Sequence, residues 1–211
     1  MLKDLKTGLI AIVVMTVFLG LVYPLAITGI SQVVFPGKAG GSLVKVDGKV
    51  VGSSLIGQDF KGEKAYFQSR PSATEYSGNV TFFGNAGPNS KEARDEVRAN
   101  LQAYLKRERP YAPELRADGP KTGDRDAKSA HRPMVPVDAV TQSASGVDPQ
   151  ISEANARIQA HRIAAVRHLP LSQVEDLISA NTDGRFLGLL GEPGVNVLEL
   201  NIALDKEAPI R

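Results

Sequence analysis

The chain has 211 residues, and its 25 lysines and arginines nearly balance its 23 aspartates and glutamates. This balance gives no general attraction to nucleic acid or to an acidic partner, and the absence of cysteine excludes a disulfide framework and cysteine-ligated metal sites. The charges are nevertheless unevenly spread, because none lies between Thr7 and Gly37. This gap argues against a purely cytosolic globular protein.

The uncharged segment predicts one transmembrane helix over residues 7–35. A bilayer core of about 30 Å requires about 20 apolar helical residues, and this segment is longer. Apolar residues continue to Phe35, and although Ala26, Thr28 and Gly29 are small, no A-x-A cleavage site stands near the end, so we expect an uncleaved signal anchor. Lysines flank both sides almost equally. We place residues 1–6 in the cytoplasm as a short tail and residues 36–211 outside it.

One face of the predicted helix carries small and weakly polar residues at every fourth position. These are Thr16, Gly20, Pro24, Thr28 and Gln32. Such a stripe lets a second helix approach closely, where packing and hydrogen bonds drive association in lipid. The alternative is that Gly, Pro and Thr are simply common in membrane helices. The interaction hypothesis predicts that this helix packs against other membrane subunits.

After Pro36, two short apolar runs around Asp47-Gly48 predict a β-hairpin over residues 43–51 with a type I′ turn. Residues 65–68 form a plausible further strand. Residues 69–89 are rich in Ser, Gly, Asn and Pro and predict a loop.

A helix is predicted from Asn89, which would be its N-cap with Glu92 in a capping box, and it ends before Pro110. Residues 108–133 mix prolines with charges of both signs and predict an exposed, flexible loop.

The C-terminal part predicts a short strand at residues 135–137, then a stretch of small residues over 141–146. A helix should follow, capped by Asp148-Pro149 or Ser152 and ending near His168. Ser172 and Glu175 form a second capping box for a helix to about Asn181, with Gly184 as its C′ residue. The apolar run over residues 195–204 predicts a strand.

The sequence carries no Walker A, GxGxxG or GxSxG motif, and His161 and His168 have no third ligand at metal spacing. Ser143 and Ser145 precede a helix, where backbone amides could receive a phosphate, although a tight turn between strand and helix is the favoured explanation. The arginines at 157, 162 and 167 are typical of a solvated helix face. The residues alone indicate an α+β extracytoplasmic domain on a single N-terminal transmembrane helix.

Two functional classes fit this architecture. One is an accessory subunit of a membrane complex, which the stripe on the membrane helix favours. The alternative is a membrane-tethered periplasmic enzyme or binding protein that acts alone.

Four ordered motifs resemble one family, the potassium-transporting ATPase C chain (KdpC). They are YFQSRPSA at residues 66–73, GNAGPNS at 84–90, VPVDAVTQSASGVDP at 135–149 and GEPGVNVLELNIALD at 191–205. Tyr23-Pro24 and Phe35-Pro36 also fit the family pattern. The matched segments run through nearly the whole chain in order.

The resemblance implies an accessory, non-catalytic subunit of an ATP-driven, high-affinity potassium uptake complex in the bacterial inner membrane. Its partners would be the channel-like potassium-translocating subunit (A chain), the P-type ATPase subunit (B chain) and the lipid bilayer, with no nucleic acid. ATP and potassium would be used by the complex, and we expect no cofactor bound by this chain itself. The family has been proposed to promote ATP binding as a catalytic chaperone, which conflicts with a periplasmic domain.

The resemblance also marks residues. The family-motif positions are Arg70, Pro71, Asp138, Ser143, Ser145, Gly146, Asp148, Asn196 and Asn201. Gln159 and Arg162 match a QxxR-like segment in the following helix, where His161 replaces the usual proline. With Ser143 and Ser145 they are the candidate nucleotide-binding residues. No catalytic or metal-ligating residue is expected.

Overall fold

A computed structural model of the chain describes residues 1–80, 82, 84–87, 89–115 and 134–210. The expected loop at 108–133 therefore lies outside the described residues from 116 onward. The chain divides into two compact units, Met1–Ser53 and Ser54–Arg211. The hairpin thus groups with the apolar helix, whereas we expected the soluble domain to begin at residue 36.

The first unit begins with an uninterrupted helical rod that is long and apolar enough to cross a membrane, with a mean hydropathy of 2.6 over its best window. It consists of α1 (Leu2–Val17), a π-helical turn (Phe18–Val22) and α2 (Tyr23–Val34). A short α3 (Pro36–Ala39) follows. The rod begins five residues before the predicted span, because Asp4 and the two lysines extend the helix into its polar flank.

The predicted hairpin is confirmed as β1 (Leu43–Val46) paired with β2 (Lys49–Ser53). Asp47 and Gly48 both have positive φ angles, 50° and 78°. A type I′ turn needs positive φ at both central residues, and Gly48 adopts it without the steric cost of a Cβ.

The second unit is an α+β domain, as predicted. Its helices are α4 (Lys91–Glu108), α5 (Glu153–Arg167), α6 (Leu171–Ala180) and α7 (Val197–Glu207), with a 3₁₀ turn at Val137–Ala139. Its sheet has strand order β3-β5-β4, formed by β3 (Gln150–Ile151), β4 (Thr182–Asp183) and β5 (Gly194–Asn196), all antiparallel.

Helix α5 lies at the centre of this unit and contributes to both apolar clusters. The larger cluster joins Ile163 of α5 to Val174 of α6, Val195 of β5 and Leu200 of α7. The smaller cluster joins the opposite face of α5, at Ile158, to α4 and the 3₁₀ turn. Because α5 is buried on several sides, several of its polar residues also lie in the interior and require hydrogen-bond partners there.

Three strand predictions were wrong. Residues 65–68 and 135–137 form no strand, and the predicted strand at 195–204 is mostly helix α7. Helix α7 forms because its apolar residues recur with a period of 3.6, so that Val197, Leu200 and Leu204 are buried on one face. Asn196 starts the helix by accepting a hydrogen bond from the amide of Glu199.

The helix caps also differ in detail from the prediction. Ser90, not Asn89, caps α4 through the amide of Ala93. Ser152 caps α5 as expected, and His168 ends it in the left-handed conformation. The capping box at Ser172 does not form, because α6 begins at Leu171 with Pro170 as its N-cap, two residues earlier than predicted. Gly184 has no positive φ and caps nothing.

The first residues of the predicted exposed loop are part of the core. Glu108 is fully buried at the end of α4, and Ala112 and Leu115 are 1% and 2% exposed. The chain turns back at this point through hydrogen bonds from the amides of Tyr111 and Ala112 to the carbonyl of Glu108. The prediction of an exposed loop was wrong for these first residues, because the charge of Glu108 is buried and paired with arginines.

Candidate functional site

The membrane helix carries the predicted stripe, and none of its residues is buried within this chain. A Cβ placed on Gly20 would meet one neighbouring atom, Cγ2 of Thr16, at 4.0 Å. The hydroxyl of Thr28 donates to the carbonyl of Pro24 at 2.8 Å, so its polarity is satisfied inside the helix. The stripe is therefore a shallow surface, because Gly20 has no side chain that would project from it.

The stripe crosses the π-helical turn at Phe18–Val22, which contains Gly20 and ends two residues before Pro24. Proline has no amide hydrogen, so Pro24 cannot donate to the carbonyl four residues earlier. The amide of Tyr23 instead donates to Phe18, five residues back. Residues four apart drift by about 40° per step in an α-helix, and the wider π turn takes back part of this drift. The turn thus reduces the rotation of the stripe around the rod.

In the second unit, the YFQSRPSA motif begins with a segment that lies outside any helix or strand and is held by side chains. Asn201 of α7 accepts from the amide of Phe67 at 2.9 Å and donates to its carbonyl at 3.0 Å. Gln159 of α5 does the same for Gln68, at 2.8 and 3.0 Å. The two side-chain amides replace the ladder of a β-sheet. We call residues 64–68 the clamped segment.

Two arginines complete the clamp. Arg162 donates through Nη1 to the carbonyls of Lys64 and of Tyr66, the latter at 2.9 Å. Its Nε contacts the carboxylate of Glu108 at 3.0 Å, and both side chains are fully buried. Arg167 donates to the carbonyl of Ala65 at 2.8 Å. The expectation of a solvated arginine face was wrong for Arg162 and Arg167.

Burial and the charge of Glu108 shift the pKa values of Arg162 and Tyr104. Burial lowers the pKa of Arg162, and the charge of Glu108 opposes that shift. Burial raises the pKa of Tyr104, and the negative charge of Glu108 raises it further. Tyr104 is 2% exposed and donates to Asn155 at 2.9 Å. The interior therefore favours a neutral tyrosine beside a charged pair.

The VPVD motif joins the same polar framework. Asp138 accepts hydrogen bonds from the amide and hydroxyl of Ser152, both at 2.8 Å, and from Asn155 at 3.0 Å. Asn155 in turn accepts from Gln159 at 3.0 Å. A continuous chain of hydrogen bonds thus leads from Asp138 to Gln68 in the clamped segment.

The remaining motif positions join two loops. Arg70 pairs with Asp148 at 2.8 Å, and the carbonyl of Pro71 accepts from the amide of Ser143 at 3.0 Å. The loops meet closely at Gly146, where φ is +74° and a Cβ would lie 2.6 Å from Oγ1 of Thr74. Glycine is required there for both reasons. Asn196 caps α7 and donates to the carbonyl of Ser54 at 2.8 Å.

The candidate nucleotide-binding residues are not arranged for a ligand. Gln159 and Arg162 are 1% and 0% exposed, and their polar groups are engaged by the clamped segment and by Glu108. Ser143 is 2% exposed and bonds the hydroxyl of Ser145 at 3.0 Å. Ser145 is exposed and accepts from the amide of Val147. The tight turn thus describes the two serines better than a phosphate cradle.

A cleft of about 310 Å³ lies beside the motif loops. Arg70, Tyr76, Asn100, Tyr104 and Arg107 are among the residues that line it. Arg107 stacks over the Tyr104 ring at 5.3 Å and donates to Glu108 at 2.6 Å, so it shares this carboxylate with Arg162. Among the described residues, no group of three or more His, Asp or Glu could hold a metal ion.

Sequence reasoning did not single out Glu108 or Asn155. Glu108 lies four residues after Tyr104, so the buried face of α4 was its available signal. Asn155 lies four residues before Gln159 on α5. Neither position belongs to a quoted motif, and only their burial distinguishes them from ordinary surface residues.

Comparison with known proteins gives a consistent result over the full length. The family model described as "KdpC: K+-transporting ATPase, c chain" matches residues 5–206. The potassium-transporting ATPase KdpC subunit of Bradyrhizobium diazoefficiens is 41% identical, with 99% of each chain covered. The corresponding subunit of Rhodopseudomonas palustris strain BisB5 is 43% identical over 97% of this chain and 98% of its own. That of Methylococcus capsulatus is 41% identical over 97% and 98%.

Proposed function

This chain belongs to the KdpC family of K⁺-transporting ATPase c chains, and we propose that it is a non-catalytic accessory subunit that stabilises an ATP-driven potassium import complex. Its partners in this proposal are the potassium-translocating subunit and the P-type ATPase subunit, within the lipid bilayer. The complex uses ATP and potassium. The observation that carries the proposal is the apolar rod with its uncovered stripe around Gly20.

Helices in lipid gain no hydrophobic drive from associating, so small residues that permit close packing are the means of specific contact. A simple tether needs no such surface. The second unit supports the same reading, because its motif residues are engaged in internal hydrogen bonds. An accessory role needs a stable, defined domain more than it needs a reactive group.

We place the N-terminus in the cytoplasm and the second unit in the periplasm. Any promotion of ATP binding would then act through the assembly, since a periplasmic domain cannot meet cytoplasmic ATP. The burial of Gln159 and Arg162 supports this restriction. A reporter fused to the C-terminus should be active only when it matures in the periplasm. Activity in the cytoplasm would overturn the orientation.

Gly20→Leu tests the role of the stripe. The new side chain meets little within this chain, so the helix should remain intact while its contact with a neighbouring helix is blocked. We expect the other subunits to be lost when the tagged chain is purified from detergent-solubilised membranes. Gly8→Leu is the matched control, because Gly8 lies on the same rod with open space around it. Recovery of the whole complex at wild-type yield by Gly20→Leu would refute the argument.

A further inference from the structure

The segment between β4 and β5 exposes four large apolar side chains next to one another. Phe186, Leu187, Leu189 and Leu190 are 68%, 79%, 81% and 62% exposed. We call residues 184–193 the apolar knob. Single exposed apolar residues are normal on a soluble surface, whereas a contiguous group indicates an interaction site. None of the roles assigned above to the motif residues uses this knob.

The knob is an ordered element. At its base, Thr182 pairs with Val195 and Asp183 with Gly194 in the buried sheet. Near its tip, the amide of Phe186 donates to the carbonyl of Leu190 at 2.8 Å, and the reverse bond measures 3.0 Å. Between these, Arg185 contacts both carboxylate oxygens of Glu192, at 3.1 and 2.9 Å.

The tip also holds a backbone conformation that leucine rarely adopts. Leu187 has φ of 53°, and a bulky residue with positive φ is an outlier that costs free energy. An asparagine or glycine would adopt this turn more easily. The strain, together with the exposed leucines, is a departure from local preference that folding of this unit does not require.

We propose that the apolar knob docks on an extracytoplasmic apolar surface of another subunit of the same membrane complex. This inference rests on the proposed function, which supplies the partner. The paired charges of Arg185 and Glu192 would form part of the rim around an apolar centre, the usual arrangement of a protein interface.

A second copy of this chain is a poorer occupant because the surface is small. At about 150 Å² for each large apolar side chain, and with the exposed fractions given above, the four residues offer roughly 400 Å². A stable stand-alone interface needs about 800 Å² from each partner. A partner that the membrane helix already holds nearby needs much less, since tethering raises the effective concentration to the millimolar range.

The bilayer is a poorer occupant because of charge. The base of the knob carries Asp183 and Glu192 against Arg185 alone, and this arginine is already paired. Segments that bind anionic lipid surfaces carry an excess of lysine and arginine. The knob therefore combines an apolar tip with a base that an anionic lipid surface does not attract.

Site-specific photocrosslinking in intact membranes identifies the occupant. A photoreactive amino acid replaces Leu189 in the full chain, with Val137, which is 73% exposed in the same unit, as the control position. We expect an adduct with another subunit from position 189 and none from position 137. Formation of a homodimer, an adduct with lipid alone, or equal crosslinking at both positions would overturn the proposal.

Substitution measures the contribution of the contact. In the double variant Leu187→Asn/Leu189→Asn the apolar tip is lost, while asparagine tolerates the positive φ at 187. We expect retention of the chain in the complex to fall about tenfold under stringent detergent washing, with the unfolding midpoint of the chain unchanged. Val137→Asn should retain the complex.

Retention of the double variant within twofold of wild type would contradict the docking. If the wild-type chain itself fails to co-purify with other subunits, the proposed function fails as well. The two failures are therefore distinguishable in one set of purifications.

Discussion

The membrane rod and the second unit place polar and apolar groups in opposite ways. The rod from Leu2 to Val34 buries none of its residues, although it is the most apolar part of the chain. The second unit has fully buried charged and amide side chains at Glu108, Gln159 and Arg162. An apolar exterior requires lipid or a partner around it, while a polar interior requires that each buried group find a hydrogen bond.

The difference shows how motif residues should be interpreted. On the rod, small residues are informative because they leave a surface open. In the second unit, the polar motif residues are informative because they form hydrogen bonds to buried backbone groups that have no partner strand. Asn201 and Gln159 supply the hydrogen bonds that a missing neighbouring strand would have supplied to Phe67 and Gln68. Residues that look like ligand-binding groups in sequence are therefore parts of a scaffold.

The strongest test of this contrast is Arg162→Met. The variant removes one of the two arginine partners of the buried Glu108 carboxylate, leaving Arg107, and it leaves two carbonyls of the clamped segment without their donor. Each unsatisfied buried carbonyl costs about 1–3 kcal/mol, so with the weakened ion pair the total is about 3–5 kcal/mol. We expect a loss of this size in the free energy of unfolding, measured by urea denaturation of the full chain in detergent.

Arg157→Met is the matched control, because Arg157 lies on the same helix with a side chain 46% exposed. Its loss should stay below about 1 kcal/mol. Equal effects of Arg162→Met and Arg157→Met would contradict the buried clamp.

A smaller but still large effect is expected for Asn201→Ala. Both backbone groups of Phe67 lose their partner in the interior, and each unsatisfied buried group costs about 1–3 kcal/mol. The unfolding free energy should fall by about 2–4 kcal/mol. Asn79→Ala, at an exposed position, should change it by less than about 0.5 kcal/mol. A mild Asn201 variant would mean that the segment holds its conformation without the clamp.

Alkaline pH should lower the free energy of unfolding of the second unit, because Tyr104 ionises less readily in the folded state than in the unfolded state. Its pKa is raised in the folded state by burial and by Glu108, while the unfolded value is about 10. The contribution of Tyr104 to the free energy of unfolding is thus complete below pH 10. It is lost as the pH rises above 10, by about 1.4 kcal/mol per pH unit for one proton. Tyr104→Phe should be less stable at pH 8, since it loses the bond to Asn155.

The stability difference between wild type and Tyr104→Phe should shrink as pH rises from 9.5 to 11 in a series of unfolding measurements. Other tyrosines, including Tyr76 with its raised pKa, titrate in both proteins and cancel. Parallel pH profiles would show that Tyr104 ionises freely in the folded state.

The smallest expected effect is in the rod. Leu21→Ala removes an exposed side chain, so unfolding of the second unit should change by less than about 0.5 kcal/mol. Leu200→Ala removes a fully buried side chain from the larger cluster and should cost about 2–5 kcal/mol. Thermal unfolding of both variants in the same detergent compares them directly. A large effect of Leu21→Ala would break the contrast between the two regions.

Several features that depend on neighbouring residues were predicted correctly, whereas features that depend on contacts distant in sequence were not. The rod, the hairpin at Asp47-Gly48 and the Ser152 cap depend on neighbouring residues, and all three were predictable. The supposed strand at residues 65–68 has suitable residues, but its hydrogen bonds come from helices far away in sequence. Local propensity does not specify which partner an extended segment will find.

The membrane segment, the α+β class and the family can be recognised from the sequence alone, because lipid compatibility, periodicity and ordered motifs are properties of the chain. The roles of the motif residues depend on the tertiary structure. Whether Arg162 meets water or Glu108, and whether Asn201 meets a ligand or Phe67, depends on the burial produced by helices packing around α5. Burial turns the same polar side chain from a surface group into a structural one, since an unpaired polar group in the interior is too costly to keep.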